Sequence, residues 1–89
     1  MGKVEDIFLK NLPTIDLHGY DRDSAAVLTN DFVRDNVFLG NFKIVIIHGI
    51  GEGILKKKVH EVLSHNKNVS SYHLDGFNIG CTVVYLKNK

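Results

Sequence analysis

Asp16 and His18 lie two residues apart in Thr14-Ile15-Asp16-Leu17-His18, and His48 directly follows Lys43-Ile44-Val45-Ile46-Ile47. These three residues are the best placed in this 89-residue chain for chemistry. A carboxylate beside an imidazole that titrates near pH ~6.5 is common raw material for general acid–base catalysis at neutral pH. Side chains alternate along a strand that rises about 3.3 Å per residue, so an extended segment puts Asp16 and His18 on one face, about 6.6 Å apart. A strand that simply ends in two outward polar residues is the plainer explanation of that spacing. His48 adds weight to catalysis, because it stands at the carboxyl end of a second strand-like run, the edge where open α/β sheets place ligands. Three titratable groups then share one rim, and structural and catalytic explanations both stand.

The segment His48-Gly49-Ile50-Gly51-Glu52-Gly53 has a glycine at every second position and runs directly into a helical pattern. Gly49, Gly51 and Gly53 would let backbone N–H groups close around an anion such as phosphate, since a Cβ would block close approach or forbid positive φ. A tight turn between strand and helix is the alternative. No Gly-Lys-Ser or Gly-Lys-Thr follows, so this is not a Walker A loop. Lys56, Lys57 and Lys58 occupy the first turns of the following helix, where cations oppose the macrodipole. Stability alone does not favour them there. They are placed to meet a phosphate backbone, or they form an ordinary solvated face.

The remaining candidates carry less. His60, His65 and His73 have no metal-ligand spacing; His60 and His65 are read as surface residues of the second helix, His65 near its carboxyl end. Cys81 has no second cysteine to complete a zinc site or a disulfide, and a catalytic pairing with a histidine has no supporting motif.

Residues 1–12 mix charge with Val4, Ile7, Phe8 and Leu12 and are set apart as an N-terminal arm, free to dock or to lie against the core since periodicity does not choose, and residues 13–89 are expected to form the domain. A short strand over Thr14–His18 ends at Gly19. Asp21 is the expected N-cap of a helix to about Leu39, with Ala25, Leu28, Phe32 and Val33 inward and Gly40 as the stop. Lys43–Ile47 reads as a covered central strand. Leu55, Val59, Val62 and Leu63 mark one face of a second helix ending near His65. Val69–Leu74 and Thr82–Leu86 are strands joined across Gly76–Gly80 as a hairpin. The order β-α-β-α-β-β, with two right-handed crossovers stepping the same way, predicts an α/β two-layer sandwich: a mixed sheet with two helices on one face.

Eleven Lys plus Arg against ten Asp plus Glu leave a net charge of +1, so a nucleic-acid partner cannot be argued from global charge and must rest on local sites. The longest apolar run, Ile44–Ile47, is too short to span a bilayer, the start lacks the apolar core of a signal peptide, and Asp6 stands where a myristoylation signal requires Ser or Thr. No membrane partner is expected, and a lone cysteine suits a reducing compartment, with the cytoplasm as the expected location.

Ile15-Asp16-Leu17-His18-Gly19 followed by a helix, then Ile46-Ile47-His48-Gly49-Ile50-Gly51-Glu52-Gly53-Ile54-Leu55, resembles the L-D-L-H-G and H-G-x-G-x-G signatures of the Smr (small MutS-related) domain. Gly80-Cys81-Thr82-Val83-Val84-Tyr85-Leu86 is similar to that family's closing glycine turn and T-V-V-x-L strand, so the resemblance runs over residues 13–87. It implies a fold like the C-terminal domain of bacterial translation initiation factor three. It also implies DNA nicking or RNA cleavage, in settings that include recombination control and collided ribosomes. Carried over by position, the resemblance assigns Asp16 and His18 to a catalytic motif, and His48, Gly49, Gly51 and Gly53 to a substrate-gripping one. Lys56 falls where members often carry a basic residue. Ile50 departs from the Lys or Arg that many members have, and Glu52 adds negative charge to the same loop.

Two functions follow as expectations. The first is an endonuclease in which His18 or His48 is the general base or acid, Asp16 orients the imidazole, and the loop amides with Lys56 and Lys57 hold the developing phosphorane charge. With RNA, the 2′-hydroxyl attacks and no metal is needed; with DNA, water attacks and a divalent ion such as Mg²⁺ is the expected cofactor, its ligands unassigned. The second is a non-catalytic module that binds structured nucleic acid or the ribosome.

Overall fold

The computed structural model describes residues 12–87. The arm expected over residues 1–12 lies, apart from Leu12, outside them. Six elements follow in the order β1 (Thr14–Asp16), α1 (Arg22–Phe38), β2 (Lys43–Ile47), α2 (Ile54–His65), β3 (Val69–Leu74) and β4 (Cys81–Leu86). Among the described residues no helix is long and apolar enough to cross a membrane.

Local chemistry sets the boundaries of α1. Asp21 accepts from the Ser24 N–H at 2.8 Å, an N-cap that lowers its own pKa. At the other end Gly40 takes φ +85°, its N–H donates to the Val37 carbonyl, and the Asn41 N–H reaches back to Asn36, which together close a Schellman motif. The first strand is shorter than expected. Asp16 Oδ1 accepts from the backbone N–H of His18 at 2.9 Å, and the Tyr20 N–H closes a turn onto Leu17 with Gly19 at φ +94°. The chain therefore leaves the sheet at Leu17, and His18 sits in the turn.

The sheet order is β1-β2-β4-β3. β1 and β2 pair in parallel, and β4 runs antiparallel to both β2 and β3. The hairpin thus folds its second strand inward, between β2 and β3. The composition of the strands explains this. Cys81-Thr82-Val83-Val84 and Leu86 are all buried, as a strand flanked on both sides must be, whereas Ser70, Ser71 and His73 of β3 are exposed at an edge. The parallel register Asp16↔Ile47 and the antiparallel register Ile47↔Cys81 put these three residues on one face, opposite the helices. Leu17, Ile44, Ile46, Val84 and Leu86 on the other face pack with Ala25 and Val33 of α1 and Val59 and Leu63 of α2 in the core. Both helices cover that single face and touch each other.

Candidate active site

β1, β2 and β3 all point their carboxyl ends at one rim, so the β1–α1 turn, the β2–α2 loop and the β3–β4 turn meet there. The Gly80 carbonyl bolts two of these together, accepting from the N–H groups of His48 and Gly49 at 2.9 and 3.0 Å. Gly80 needs its missing side chain: a Cβ there would lie 3.3 Å from the Gly49 carbonyl carbon and 3.4 Å from its Cα.

A cleft of about 400 Å³ opens between these turns, lined by His18, Gly19, His48, the loop from Gly49 to Gly53, and Ile54 to Lys56. Gly49, Gly51 and Gly53 have φ of +85°, +27° and +82°, a backbone that side chains rarely tolerate. Gly53 is the N-cap of α2. It offers no side-chain cap, and the first turn contains no acidic residue; the carboxylate nearest in sequence, that of Glu52, belongs to a residue lining the same cleft.

His18 is exposed and its imidazole lies over Gly49: a Cβ at Gly49 would stand 3.8 Å from His18 Cδ2. Lys56 lines the same cleft and bends back toward Gly53. Lys57 does not reach it, and instead flanks a separate depression with Arg22, Lys58 and Glu61. Lys58 is engaged by Glu61 at 3.2 Å.

Asp16 does not itself line the cleft. Strand parity puts it level with Ile47 on the helix-free face, and its carboxylate engages the backbone of His18. Its effect on His18 is therefore to fix the turn. The 6.6 Å same-face arrangement expected of an extended Asp16–His18 segment is replaced by this Asx-type turn.

His48 is nearly closed off from solvent, at 4% exposure, and uses both ring nitrogens. Nδ1 is 3.0 Å from the Gly49 carbonyl oxygen and Nε2 is 2.8 Å from Thr82 Oγ1. Burial, and then the nearby Lys56 charge, hold its pKa below the usual histidine value against the opposing Gly49 hydrogen bond. His60, expected on the surface, belongs to the same cluster: its Nε2 is 2.8 Å from Thr82 Oγ1, and its ring packs on Tyr72 at 4.9 Å. Burial lowers its pKa too, reinforced by His48 and Lys56. Thr82 was not singled out from the sequence. The signal for it is a hydroxyl within an otherwise apolar strand, on the parity that faces the helices. Cys81 is buried on the opposite face, where burial and the charges of Asp75 and Asp16 push its thiol up, away from a reactive thiolate.

A family profile described as the Smr domain matches residues 15–87. Curated relatives include the Endonuclease MutS2 of Brevibacillus brevis, 37% identical over 76 residues, covering 82% of this chain and 10% of the relative. The Endonuclease MutS2 of Clostridium perfringens is 32% identical over 78 residues, covering 84% and 10%. The chain thus spans about a tenth of the length of these relatives. Among solved structures, the crystal structure of the Smr domain of Thermus thermophilus MutS2 superposes with a TM-score of 0.82 at 27% identity, covering 84% of this chain and 98% of that one. YdaL, a stand-alone small MutS-related protein from Escherichia coli, shares the fold with a TM-score of 0.80 at 19% identity, covering 97% and 75%.

Proposed function

This chain belongs to the Smr domain family, and on that footing we propose that it is an endonuclease module that cuts single-stranded RNA, with His18 as its acid–base group. The observation that carries the proposal is the exposed His18 imidazole lying over the glycine loop, in a cleft shared with Lys56 and the uncapped end of α2. A backbone phosphate seated on the loop amides would present its ribose to that imidazole. His18 then removes the 2′-hydroxyl proton, the 2′-oxygen bonds to phosphorus, and the 5′-oxygen leaves with a proton returned by the same imidazolium. The loop N–H groups and Lys56 stabilise the phosphorane charge. Asp16 holds the turn that aims His18. His48, with both ring nitrogens committed, keeps the loop in shape rather than moving protons.

RNA is preferred to DNA on two grounds. Transesterification of RNA needs only an acid–base group and charge stabilisation of the kind this cleft offers, whereas water attack on DNA calls for a divalent ion as well. Ile50, Ile54, Phe77 and Ile79 are also all exposed on elements at the cleft rim, Phe77 at 80%, and apolar side chains of this kind serve unpaired bases better than a duplex backbone.

The test is cleavage of labelled single-stranded RNA, duplex RNA and supercoiled plasmid, each with and without EDTA. Single-stranded RNA should be cut to 2′,3′-cyclic phosphate ends in the presence of EDTA, and folded His18→Ala should lose activity by about a hundredfold or more. Cutting that survives in the folded variant would remove His18 from the mechanism. A second reading, favoured by Ile50 and Glu52 in the loop, is a non-catalytic module for structured nucleic acid, the ribosome included. It requires salt-sensitive binding by wild type and His18→Ala alike, with no cutting by either.

A further inference from the structure

Two imidazoles share one hydroxyl. His48 Nε2 and His60 Nε2 each lie 2.8 Å from Thr82 Oγ1, and a threonine hydroxyl has a single hydrogen to donate. The far end of the chain decides who donates. His48 Nδ1 faces the Gly49 carbonyl oxygen at 3.0 Å, and a carbonyl can only accept, so Nδ1 carries the ring proton. In neutral His48, Nε2 is then an acceptor and takes the Thr82 hydroxyl hydrogen. The Thr82 oxygen in turn accepts from His60, whose proton must sit on Nε2. One direction satisfies every link.

We infer that Thr82 and His60 are positioning residues for the glycine loop: the chain from His60 Nε2–H through Thr82 to His48 locks the Nδ1–H tautomer of His48, which clamps the Gly49 carbonyl. A trans peptide sets N–H opposite C=O, so a Gly49 carbonyl drawn toward His48 turns the Ile50 N–H away from His48. The preceding peptide is held as well, by the bond from the Gly49 N–H to Gly80. Gly49 is thus pinned on both sides of its Cα. Tyr72 packs on His60, and His60 stands edge-on to His48 with ring centroids 6.0 Å apart, which leaves the two imidazoles little freedom to reorient. Burial also disfavours the charged form of both rings, as a chain carrying one proton per link requires. The role given to the loop rests on the proposed function; the direction of the chain rests on geometry alone.

The first measurement is a long-range ¹H–¹⁵N correlation of the full chain with labelled histidine, above neutral pH. The expected result is Nδ1–H for His48 and Nε2–H for His60, and the opposite tautomer at either ring overturns the assignment. The second compares Thr82→Val, Thr82→Ser and His60→Phe, the last keeping an aromatic ring beside Tyr72 while removing the donor. Each variant is read for His48 tautomer and for affinity toward a fluorescein-labelled single-stranded RNA. Thr82→Val and His60→Phe should give mixed His48 tautomers and bind about three- to tenfold more weakly, and Thr82→Ser should restore both. If Thr82→Val fails to fold, His60→Phe carries the comparison. A folded variant that lacks the hydroxyl or the donor yet keeps the His48 tautomer and the affinity refutes the inference. If the wild type binds no RNA, the proposed function fails, and the tautomer spectra and their response to His60→Phe still decide the chain.

Discussion

Thr29 and Thr82 are both 0% exposed, one in α1 and one in β4, and replacing each by valine should move stability in opposite directions. The substitution exchanges a hydroxyl for a methyl of similar size, so the partners of the oxygen determine the outcome. Among the described residues Thr29 Oγ1 has no hydrogen-bond partner, and a buried hydroxyl left unpaired costs about 1–3 kcal/mol in proteins. Thr and Val have similar helix propensities, so Thr29→Val should stabilise by about 1 kcal/mol, a rise in Tm of roughly 4–8 °C for a domain of this size. Thr82 Oγ1 serves two imidazoles at 2.8 Å each. Losing two bonds at about 1 kcal/mol each, and leaving the enclosed His48 Nε2 unpaired, gives a destabilisation of about 2–4 kcal/mol. The better strand propensity of valine returns only a few tenths of about 1 kcal/mol, the whole span of that scale. A domain of this size has a total stability of roughly 4–13 kcal/mol, so Thr82→Val should still fold in the cold. Urea unfolding followed by circular dichroism measures both, with an unchanged slope showing that the midpoints report stability. Two shifts of the same sign would refute the reasoning, and a Thr82→Val protein as stable as wild type would show that the shared hydroxyl is not bonded as described.

His48 and His60 give the protein an acid sensitivity of defined sign. Their pKa values are lowered in the fold from 6.5, so their contribution is fully present above pH 6.5, declines as the pH falls from there toward the lowered values, and is level below them. The charged and titratable groups facing them are Lys56 from α2, Tyr72 from β3 and each other, so the neighbouring charge disfavours protonation. Urea midpoints taken from pH about 8 down to about 5 should fall, and His60→Phe should flatten the decline. Gly80→Ala tests the join between the β3–β4 turn and the loop: its Cβ, 3.3 Å from the Gly49 carbonyl carbon and 3.1 Å from Asn78 Oδ1, should displace the Gly49 peptide by a few tenths of an ångström. RNA affinity should fall several-fold, while the stability loss stays near 1 kcal/mol, of the order of a mild overpacking. An unchanged affinity would show that the peptide clamped by Gly80 does not shape the binding loop.

Much of this architecture is legible in the sequence because it is decided locally. Asp21 and Gly40 carry their own capping geometry, the β-branched run from Ile44 to Ile47 favours a covered strand, and the alternating glycines allow a backbone that few other residues can follow. The last strand was legible only as the second half of a hairpin; its inward place, paired with β2 rather than at an edge, depends on how two distant strands bury their faces together. The relations among the site residues depended on the tertiary structure. Strand parity separates Asp16 from His48, which no count along one strand can reveal, and a side-chain hydrogen bond turns His18 out of the sheet where alternation would have kept it. His60 flanks the apolar stripe of α2, and periodicity cannot say which flank meets the sheet. Only the docking of α2 over β4 brings His60 to the Thr82 hydroxyl, and burial together with one shared hydrogen then sets the direction of the chain that ends at the glycine loop.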